Sequence, residues 1–210
     1  MKNKRKVTVV ITARPSYSRI KSLLTAIEKS EKLELSIVVG GSALLQKYGK
    51  TSKQIEKDGF RVDAFANYAI EGDSHDITSK STGMAVVELT TIFKNMKPDI
   101  VITIADRFET IATAIAASYM NIPLAHIQGG EISGNIDEKV RHAVTKLSDL
   151  HFTASEESYS RVLQMGEIPE NVFKTGCPSI DLALEVFNSN KNIVLEDIGG
   201  VGANFKLNKD

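Results

Sequence analysis

The chain has 210 residues, of which 42% are hydrophobic, and its 26 basic and 26 acidic side chains give a formal net charge of zero. This length can bury one sizeable core, and the balanced charge gives no indication of binding to nucleic acid or to a membrane surface. The single cysteine, Cys177, excludes an internal disulfide and a cysteine-cluster metal site. We therefore expect a cytoplasmic protein that holds no metal or cofactor.

The first apolar run, Val7–Ile11, follows a basic stretch at residues 2–6 and is soon interrupted by Arg14-Pro15. It is too short for a signal peptide or a membrane span. The pattern predicts a strand that leads into a helix.

Similar short runs, rich in β-branched residues, then alternate with segments of helical period. The predicted strands are Val7–Thr12, Leu35–Val39, Arg61–Phe65, Ile100–Ile104, Pro123–Ile127, Leu150–Thr153 and Val172–Thr175. The predicted helices are Tyr17–Lys29, Ser42–Lys47, Thr82–Met96, Glu109–Met120, Ile136–Leu147, Glu156–Met165 and Asp181–Phe187. Several strands are apolar on both faces, which is typical of a sheet covered on both sides. The alternation predicts an α/β fold over residues 1–187, with a Rossmann-like parallel sheet and helices on both faces.

Two segments depart from this alternation. Residues 67–81 are polar and lack a period, so they predict a long loop, which in a compact α/β domain is more often functional than idle. Residues 188–210 are also irregular and contain Gly199-Gly200-Val201-Gly202. Their composition predicts a linker toward a second domain.

Polar and glycine residues recur where successive strands end, at residues 13–18, 40–42, 105–109 and 126–131. Ligands bind outside the carboxyl ends of the strands in an open parallel sheet, so these four segments predict a site at one edge. Arg14 beside Pro15, at a helix start, is suited to a phosphate or carboxylate. The sequence has no GxGxxG after the first strand, which disfavours a dehydrogenase.

The motifs at the later strand ends each have a structural alternative. The acidic and basic residues of 106–109 form either an internal salt bridge at a helix start or a catalytic and anion-binding group. His126 and Gln128 point to the same side of their strand, and His126 is either a ligand contact or a satisfied core residue. The following helix carries two i,i+4 pairs that alone would indicate only helix stabilisation, Asp137 with Arg141 and Glu138 with His142.

Taken together and in order, these segments resemble the hydrolysing UDP-N-acetylglucosamine 2-epimerases. The matching segments are Ala105–Glu109, His126–Glu131, Ile136–Leu147 and Gly176-Cys177-Pro178-Ser179 followed by an aspartate. The resemblance extends from Arg14 to the glycine-rich segment near residue 200. That family has two Rossmann-like domains with the active site in the cleft between them, as in the B-type glycosyltransferases. The resemblance implies that this chain is the first half of such a fold.

The resemblance also implies a reaction, elimination followed by hydration. A base removes the C2 proton of UDP- or GDP-linked N-acetylglucosamine while the nucleoside diphosphate leaves C1, and water then adds to release N-acetylmannosamine. Enzymes of this family feed pathways to sialic, legionaminic and related acids. Because the second domain supplies nucleotide contacts in the family, the 210-residue chain is expected to be inactive alone.

The same resemblance assigns the site residues. Asp106, Glu131 and Asp137 are the expected catalytic acids and bases. The residues expected to hold the sugar nucleotide are Arg14, Ser18, Arg107, His126, Gln128, Arg141 and His142. The chain departs from the family at Ser16, where an acid is common, and at Gln128, where related non-hydrolysing epimerases have a glutamate whose role would fall here to Glu131.

The family self-associates largely through its first domain, so we expect a homo-oligomer, most simply a dimer, that uses the helix at Thr82–Met96 or Glu109–Met120. Two other functions fit the same architecture: a glycosyltransferase-type domain, and a non-catalytic half that binds or oligomerises. The Asp-Arg-Phe-Glu and His-Ile-Gln-Gly-Gly-Glu segments favour the epimerase.

Overall fold

The structure, a computed structural model, describes residues 4–46, 49–72, 74–105 and 107–189. Its strands are β1 (Arg5–Ile11), β2 (Leu33–Gly40), β3 (Ala64–Ala66), β4 (Ile100–Ile104), β5 (Leu124–Ile127), β6 (Leu150–Thr153) and β7 (Val172–Lys174). Its α-helices are α1 (Arg14–Glu28), α2 (Thr51–Lys57), α3 (His75–Met96), α4 (Thr110–Tyr119), α5 (Ile136–Leu147), α6 (Glu156–Gln164) and α7 (Pro178–Asn188). The predicted α/β architecture is confirmed.

All seven strands form one sheet in the order β3-β2-β1-β4-β5-β6-β7, and every neighbouring pair is parallel. The chain builds outward from β1 to β3, then crosses back to pair β4 with β1, where Val7 lies opposite Ile100. The strand order therefore reverses between β1 and β4. In open parallel sheets the crevice at this reversal, outside the carboxyl ends, is where ligands bind.

Two apolar layers cover the two faces of the sheet. Val7, Val9 and Ile11 of β1 belong to the layer that includes α1 and α2, whereas Val10 belongs to the layer that includes α3, α4 and α5. Successive side chains of a strand point to opposite faces, so a strand between two helical layers is mostly apolar on both faces, although Thr8 and Thr103 are buried there as well. This burial on both faces explains the long apolar runs in the sequence.

The sequence analysis misplaced, missed or shortened three helices. It predicted a helix at Ser42–Lys47, where the structure has a short 3₁₀ helix at Gly41–Leu44 and extended backbone at the next residue. It did not predict α2, in which Ile55 is the one large apolar residue that is buried, so no helical period is visible. It assigned residues 67–81 to a loop, but α3 begins at His75 and the loop is correspondingly shorter. The polar start of α3 hides the helix, because amphipathic periodicity needs an apolar stripe.

The last described element turns back across the molecule. Helix α7 follows β7 at the far edge of the sheet, yet it packs against α1. The predicted linker at residues 188–210 falls almost wholly outside the described residues, apart from the end of α7 at Asn188 and the turn at Ser189. Within the described ranges, no helix combines the length and apolarity needed to cross a membrane.

Gly130, after β5, provides a test of how tightly the sheet edge packs on α6. Its φ is +80°, and a Cβ there would lie 2.4 Å from the carbonyl oxygen of Ser158. Gly134 has a similar φ, +74°, but a Cβ would meet open space. Both sites carry the left-handed strain of a non-glycine residue, about 1–2 kcal/mol, and only Gly130 adds a clash.

We therefore expect Gly130→Ala to lower the free energy of unfolding by at least ~2 kcal/mol more than Gly134→Ala. Urea denaturation of both variants and the parent chain measures this difference. Equal losses for the two variants would show that the contact between residue 130 and α6 is not tight.

Candidate active site

The β1 and β4 carboxyl ends lie side by side at the reversal of strand order and carry two of the predicted arginines. Arg14 is the first residue of α1, with Pro15 next to it, and its side chain is exposed. Ser18, one turn later, is exposed and donates its hydroxyl to the carbonyl of Pro15 at 3.0 Å. Arg107 follows β4. The predicted anion-binding groups of these two strand ends therefore lie at one edge of the sheet.

Asp106 lies outside the described residues. Its chain neighbour Ala105 ends β4 with φ +63°, a left-handed conformation that is unfavourable for alanine. The backbone N–H of Ala105 donates to the Ile127 carbonyl at 2.9 Å. Tertiary contacts therefore hold the backbone next to Asp106 in a strained turn.

His126 on β5 is the main contact that holds this turn. The ring is fully buried, with Nε2 2.9 Å from the Ala105 carbonyl oxygen and Nδ1 3.1 Å from the Thr145 hydroxyl. Since a carbonyl only accepts, Nε2 carries the proton. A Cβ at residue 129 would lie 2.9 Å from both Nδ1 and the Thr145 hydroxyl, which explains Gly129. This geometry favours the structural interpretation of His126 over direct contact with a ligand.

Burial also sets the protonation state of His126. Loss of water around the ring lowers its pKa from 6.5 to about 4, although the Ala105 carbonyl acts in the opposite direction. The ring is therefore neutral at physiological pH and connects β4 to α5 through uncharged hydrogen bonds.

Gln128 lies two residues further on, with a left-handed φ of +61° and 4% exposure. Its amide donates to the Cys177 sulfur at 3.0 Å, which joins the end of β5 to the start of α7. The amide oxygen is buried and has no hydrogen-bond partner among the described residues. In the sequence, Cys177 is only one residue of the Gly176-Cys177-Pro178-Ser179 motif. The fold shows that this motif contacts Gln128, a predicted site residue.

Glu131 and Asp137 lie on either side of the start of α5. Arg141, which is 4% exposed, donates through Nη1 to the Glu131 carbonyl at 2.8 Å and places Nη2 3.9 Å from the Glu131 carboxylate. Asp137 is half-buried in the first turn of α5, where Asn135 caps its backbone N–H at 2.8 Å. Arg141 thus connects Glu131 to the helix that carries Asp137.

Glu138 and His142, an i,i+4 pair on α5, lie next to the loop that connects Glu131 to Asp137. The Glu138 carboxylate accepts from the backbone N–H groups of Gly134 and Ser133 at 2.7 and 2.9 Å, and these bonds lower its pKa. His142 lies 4.0 Å from Glu138, and its side chain is 30% exposed. The exposed part of His142 is therefore accessible to a ligand, which its predicted binding role requires. The Glu138 carboxylate, in contrast, is already hydrogen-bonded to the loop backbone.

Glu109 is a buried acid that the sequence did not assign to the site. It is 1% exposed and accepts from Nε of Arg107 at 3.2 and 3.4 Å. Burial raises its pKa, Arg107 lowers it, and the nearby charge of Asp137 raises it further. The electrostatic effect of Asp137 indicates that the β4 end and the α5 start face the same space. The charge pattern of 106–109 was visible in the sequence, but the burial was not.

The glycine pair after β2 has a structural explanation. A Cβ at Gly40 would lie 2.7 Å from the Tyr68 ring, and one at Gly41 would lie 2.6 Å from the Tyr68 hydroxyl. Tyr68 is itself buried. The pair therefore makes room for an aromatic ring rather than for a ligand.

No group of three or more His, Cys, Asp or Glu side chains suited to a metal ion occurs in the described part of the chain. A depression lined by Ser118, Asn121, Lys146 and Asp149 lies at the opposite, amino-terminal edge of the sheet. Neither a charged cluster nor a loop motif from the sequence analysis falls in it, so the carboxyl-terminal edge is the better candidate.

The sequence profile of the family described as UDP-N-acetylglucosamine 2-epimerase matches residues 25–203. A Legionella pneumophila protein, UDP-N,N'-diacetylbacillosamine 2-epimerase (hydrolyzing), is 36% identical over 195 residues, which cover 93% of this chain and 52% of that protein. Polysialic acid biosynthesis protein P7 of Escherichia coli is 36% identical over 188 residues, or 89% of this chain and 48% of its own length. The chain spans about half the length of the curated relatives it matches.

A similar solved structure is a crystal structure of UDP-N-acetylglucosamine 2-epimerase. It superposes with a TM-score of 0.80 at 25% identity and covers 94% of this chain and 55% of the solved one. The described fold thus corresponds to about half of that solved chain, in agreement with the sequence resemblance.

The neutral state of His126 makes stability depend on pH. Below pH 6.5 the unfolded chain binds a proton that the folded ring refuses until about pH 4, so the free energy of unfolding falls as pH drops through this window. At ~1.4 kcal/mol per pKa unit, the loss is on the order of 3 kcal/mol. His151, whose pKa burial also lowers, adds to the loss.

Urea denaturation between pH 7 and pH 4.5 measures the loss, and ¹⁵N NMR of the histidine rings assigns it. We expect His126 to stay in the neutral Nε2–H form down to pH 5. Replacing the exposed His75 with Gln should leave the pH dependence unchanged. A His126 ring that titrates near pH 6.5 would contradict the proposed buried network.

Proposed function

Because the chain belongs to the UDP-N-acetylglucosamine 2-epimerase family, we propose that the complete polypeptide in which it occurs is a hydrolysing sugar-nucleotide 2-epimerase. The proposed substrate is UDP- or GDP-linked N-acetylglucosamine or a related 2-acetamido sugar, and the products are the 2-epimeric free sugar and the nucleoside diphosphate. The names of the two relatives support this substrate class and a place in the biosynthesis of sialic-type acids.

One observation carries the proposal: Arg141 holds Glu131 against the helix that carries Asp137. Two carboxylates thereby lie at the amino end of α5, on the side where Asp137 influences Glu109 after β4. A reaction that removes one proton from carbon and delivers another needs at least two such groups at one site.

The chemistry divides between these groups as follows. A carboxylate takes the C2 proton, the C2–H electrons form a C1–C2 double bond, and the C1–oxygen bond breaks to release the nucleoside diphosphate. A water molecule then adds its hydroxyl to C1, and a proton returns to C2 from the other face. We assign these proton transfers to Asp106, Glu131 and Asp137, and the negative charge that develops on the leaving group to Arg14 and Arg107.

Gln128 cannot exchange a proton in this way, because an amide side chain does not titrate. Its amide group, held by Cys177, is suited to a hydrogen bond with the sugar or with water. This is the physical reason for giving the acid role to Glu131. We propose that Ser18 and His142 contribute polar contacts at the periphery and that His126 and Arg141 act by holding the loops.

The test is turnover by the complete polypeptide with UDP- and GDP-linked N-acetylglucosamine and with UDP-N,N'-diacetylbacillosamine, without any acceptor. We expect a free 2-epimerised sugar and a nucleoside diphosphate, and Asp137→Asn should lower kcat by roughly 100-fold or more because a general acid–base group contributes 10²–10⁴-fold. Glu170→Gln is the control, since it also neutralises a carboxylate, but one that is exposed in the turn between α6 and β7, outside the candidate site. Turnover only with an added acceptor would instead support a glycosyltransferase.

The 210-residue chain assayed alone serves as a second control. We expect it to release no sugar, because it spans about half the length of its relatives and lacks their remaining surface for the leaving nucleotide. Loss of stabilisation of that group lowers kcat as well as raising KM. Release of N-acetylmannosamine by residues 1–210 would show that the second half is dispensable.

We further propose that the protein acts in the cytoplasm, which its single cysteine supports, and that it forms a homodimer. Of the two helices predicted for the interface, α3 exposes Met84 and Val87, at 46% and 67%, whereas the alanines of α4 are mostly buried. The outward face of α3 is therefore the better candidate.

Light scattering should give about twice the 23.0 kDa chain mass at micromolar concentration, and Val87→Glu should shift it toward the monomer. A stable dimer should bury more than roughly 1,000 Å² in total. Ile168→Glu, on an exposed turn distant in sequence, is the control. A mass near that of one chain for the parent protein would contradict the dimer.

A further inference from the structure

Among the described residues, Arg107 is hydrogen-bonded through one of its three guanidinium nitrogens. Its Nε donates to the Glu109 carboxylate at 3.2 and 3.4 Å, and the side chain is 40% exposed. Neither Nη group has a hydrogen-bond partner among the described residues. The guanidinium also lies 5.7 Å from the centre of the Phe108 ring. One end of the group is thus fixed while two donor nitrogens remain available at the reversal of strand order.

We propose that Glu109 is a positioning residue that holds Arg107 so that its two Nη groups bind phosphoryl oxygens of the substrate. This inference rests on the proposed function, since a sugar nucleotide supplies the diphosphate. Glu109 does not touch the ligand itself, because it is 1% exposed. It acts through Arg107 alone.

Two physical effects give Glu109 this role. A free arginine loses side-chain freedom when it binds an anion, and an arginine that is already held loses less. The Nε contact also fixes the plane of the guanidinium, and planar two-point contact with phosphate depends on that plane. A neutral side chain at residue 109 would keep a hydrogen bond but lose the charge that makes it strong.

The protonation state of Glu109 should therefore appear in ligand affinity. The charged groups that influence its pKa are Arg107 after β4 and Asp137 on α5, and the buried, uncharged Tyr68 hydroxyl after β3 also lies within the range of its charge. Burial raises the pKa of Glu109, so the carboxylate takes up a proton at a higher pH than an exposed glutamate. Affinity for a diphosphate should fall as pH decreases, because protonation weakens the Arg107 contact.

The experiment titrates the complete polypeptide with UDP and, separately, with inorganic pyrophosphate, and follows the Arg107 Nε–H signal by NMR. At pH 7.5 we expect Glu109→Gln to weaken UDP binding roughly tenfold and to broaden the Nε–H signal. Between pH 7.5 and 5 the parent chain should lose affinity more steeply than Glu109→Gln. Glu170→Gln, an exposed glutamate outside the candidate site, should match the parent in both measurements.

Each outcome decides the point. Unchanged affinity and pH dependence in Glu109→Gln would overturn the proposal, and so would an Arg107 signal in the parent chain that neither probe shifts. If Glu109→Gln fails to fold, the response of the Arg107 Nε–H signal of the parent protein to each probe still tests the proposal. If the complete polypeptide fails to epimerise but UDP affinity still depends on Glu109, the positioning role stands and the proposed function falls.

Discussion

The arrangement of this site depends on one constraint, the reversal of strand order between β1 and β4. A parallel sheet buries both faces only if helices cover both, and here the direction of strand addition changes at that point. The loops after β1 and β4 therefore separate toward opposite faces and leave a crevice between them. Arg14 and Arg107 follow these two strands and Ser18 lies one turn further along α1, whereas the other candidate residues that the structure describes come from β5, the loop after it or α5.

Buried polar groups hold the loops around this crevice. His126 connects the strained Ala105 to Thr145 on α5, Arg141 connects Glu131 to α5, and Glu109 connects Arg107 to the start of α4. A buried polar or charged group is costly unless it is hydrogen-bonded, and each of these groups makes at least one hydrogen bond to another segment or to its neighbour. The outcome is a set of loops whose conformations depend on tertiary contacts rather than on local propensity.

Burial divides the predicted site residues, which the family resemblance places in one group, into two kinds. Arg141 and His126 occupy motif positions beside Glu131 and Asp137, yet they are buried and bonded to protein atoms. Arg14, Ser18, Arg107 and His142 retain exposed surface. The matching segments thus contain both exposed groups and buried groups that are bonded to protein atoms, and only the tertiary structure distinguishes them.

The sequence by itself determined the parallel α/β fold, six of the seven α-helices among the described residues and the edge of the sheet that carries the candidate site, because apolar periodicity and strand-end composition are local signals. Through the resemblance it also predicted catalytic roles for Glu131 and Asp137 and binding roles for the arginines near them. It missed α2, whose single buried apolar residue gives no period, and it left His126 and Glu109 ambiguous. Only the tertiary structure decided the roles of those two residues. Burial and the pKa changes that follow from it arise when the strands assemble, not along the chain. The same holds for contacts between distant segments, such as that of Gln128 with Cys177.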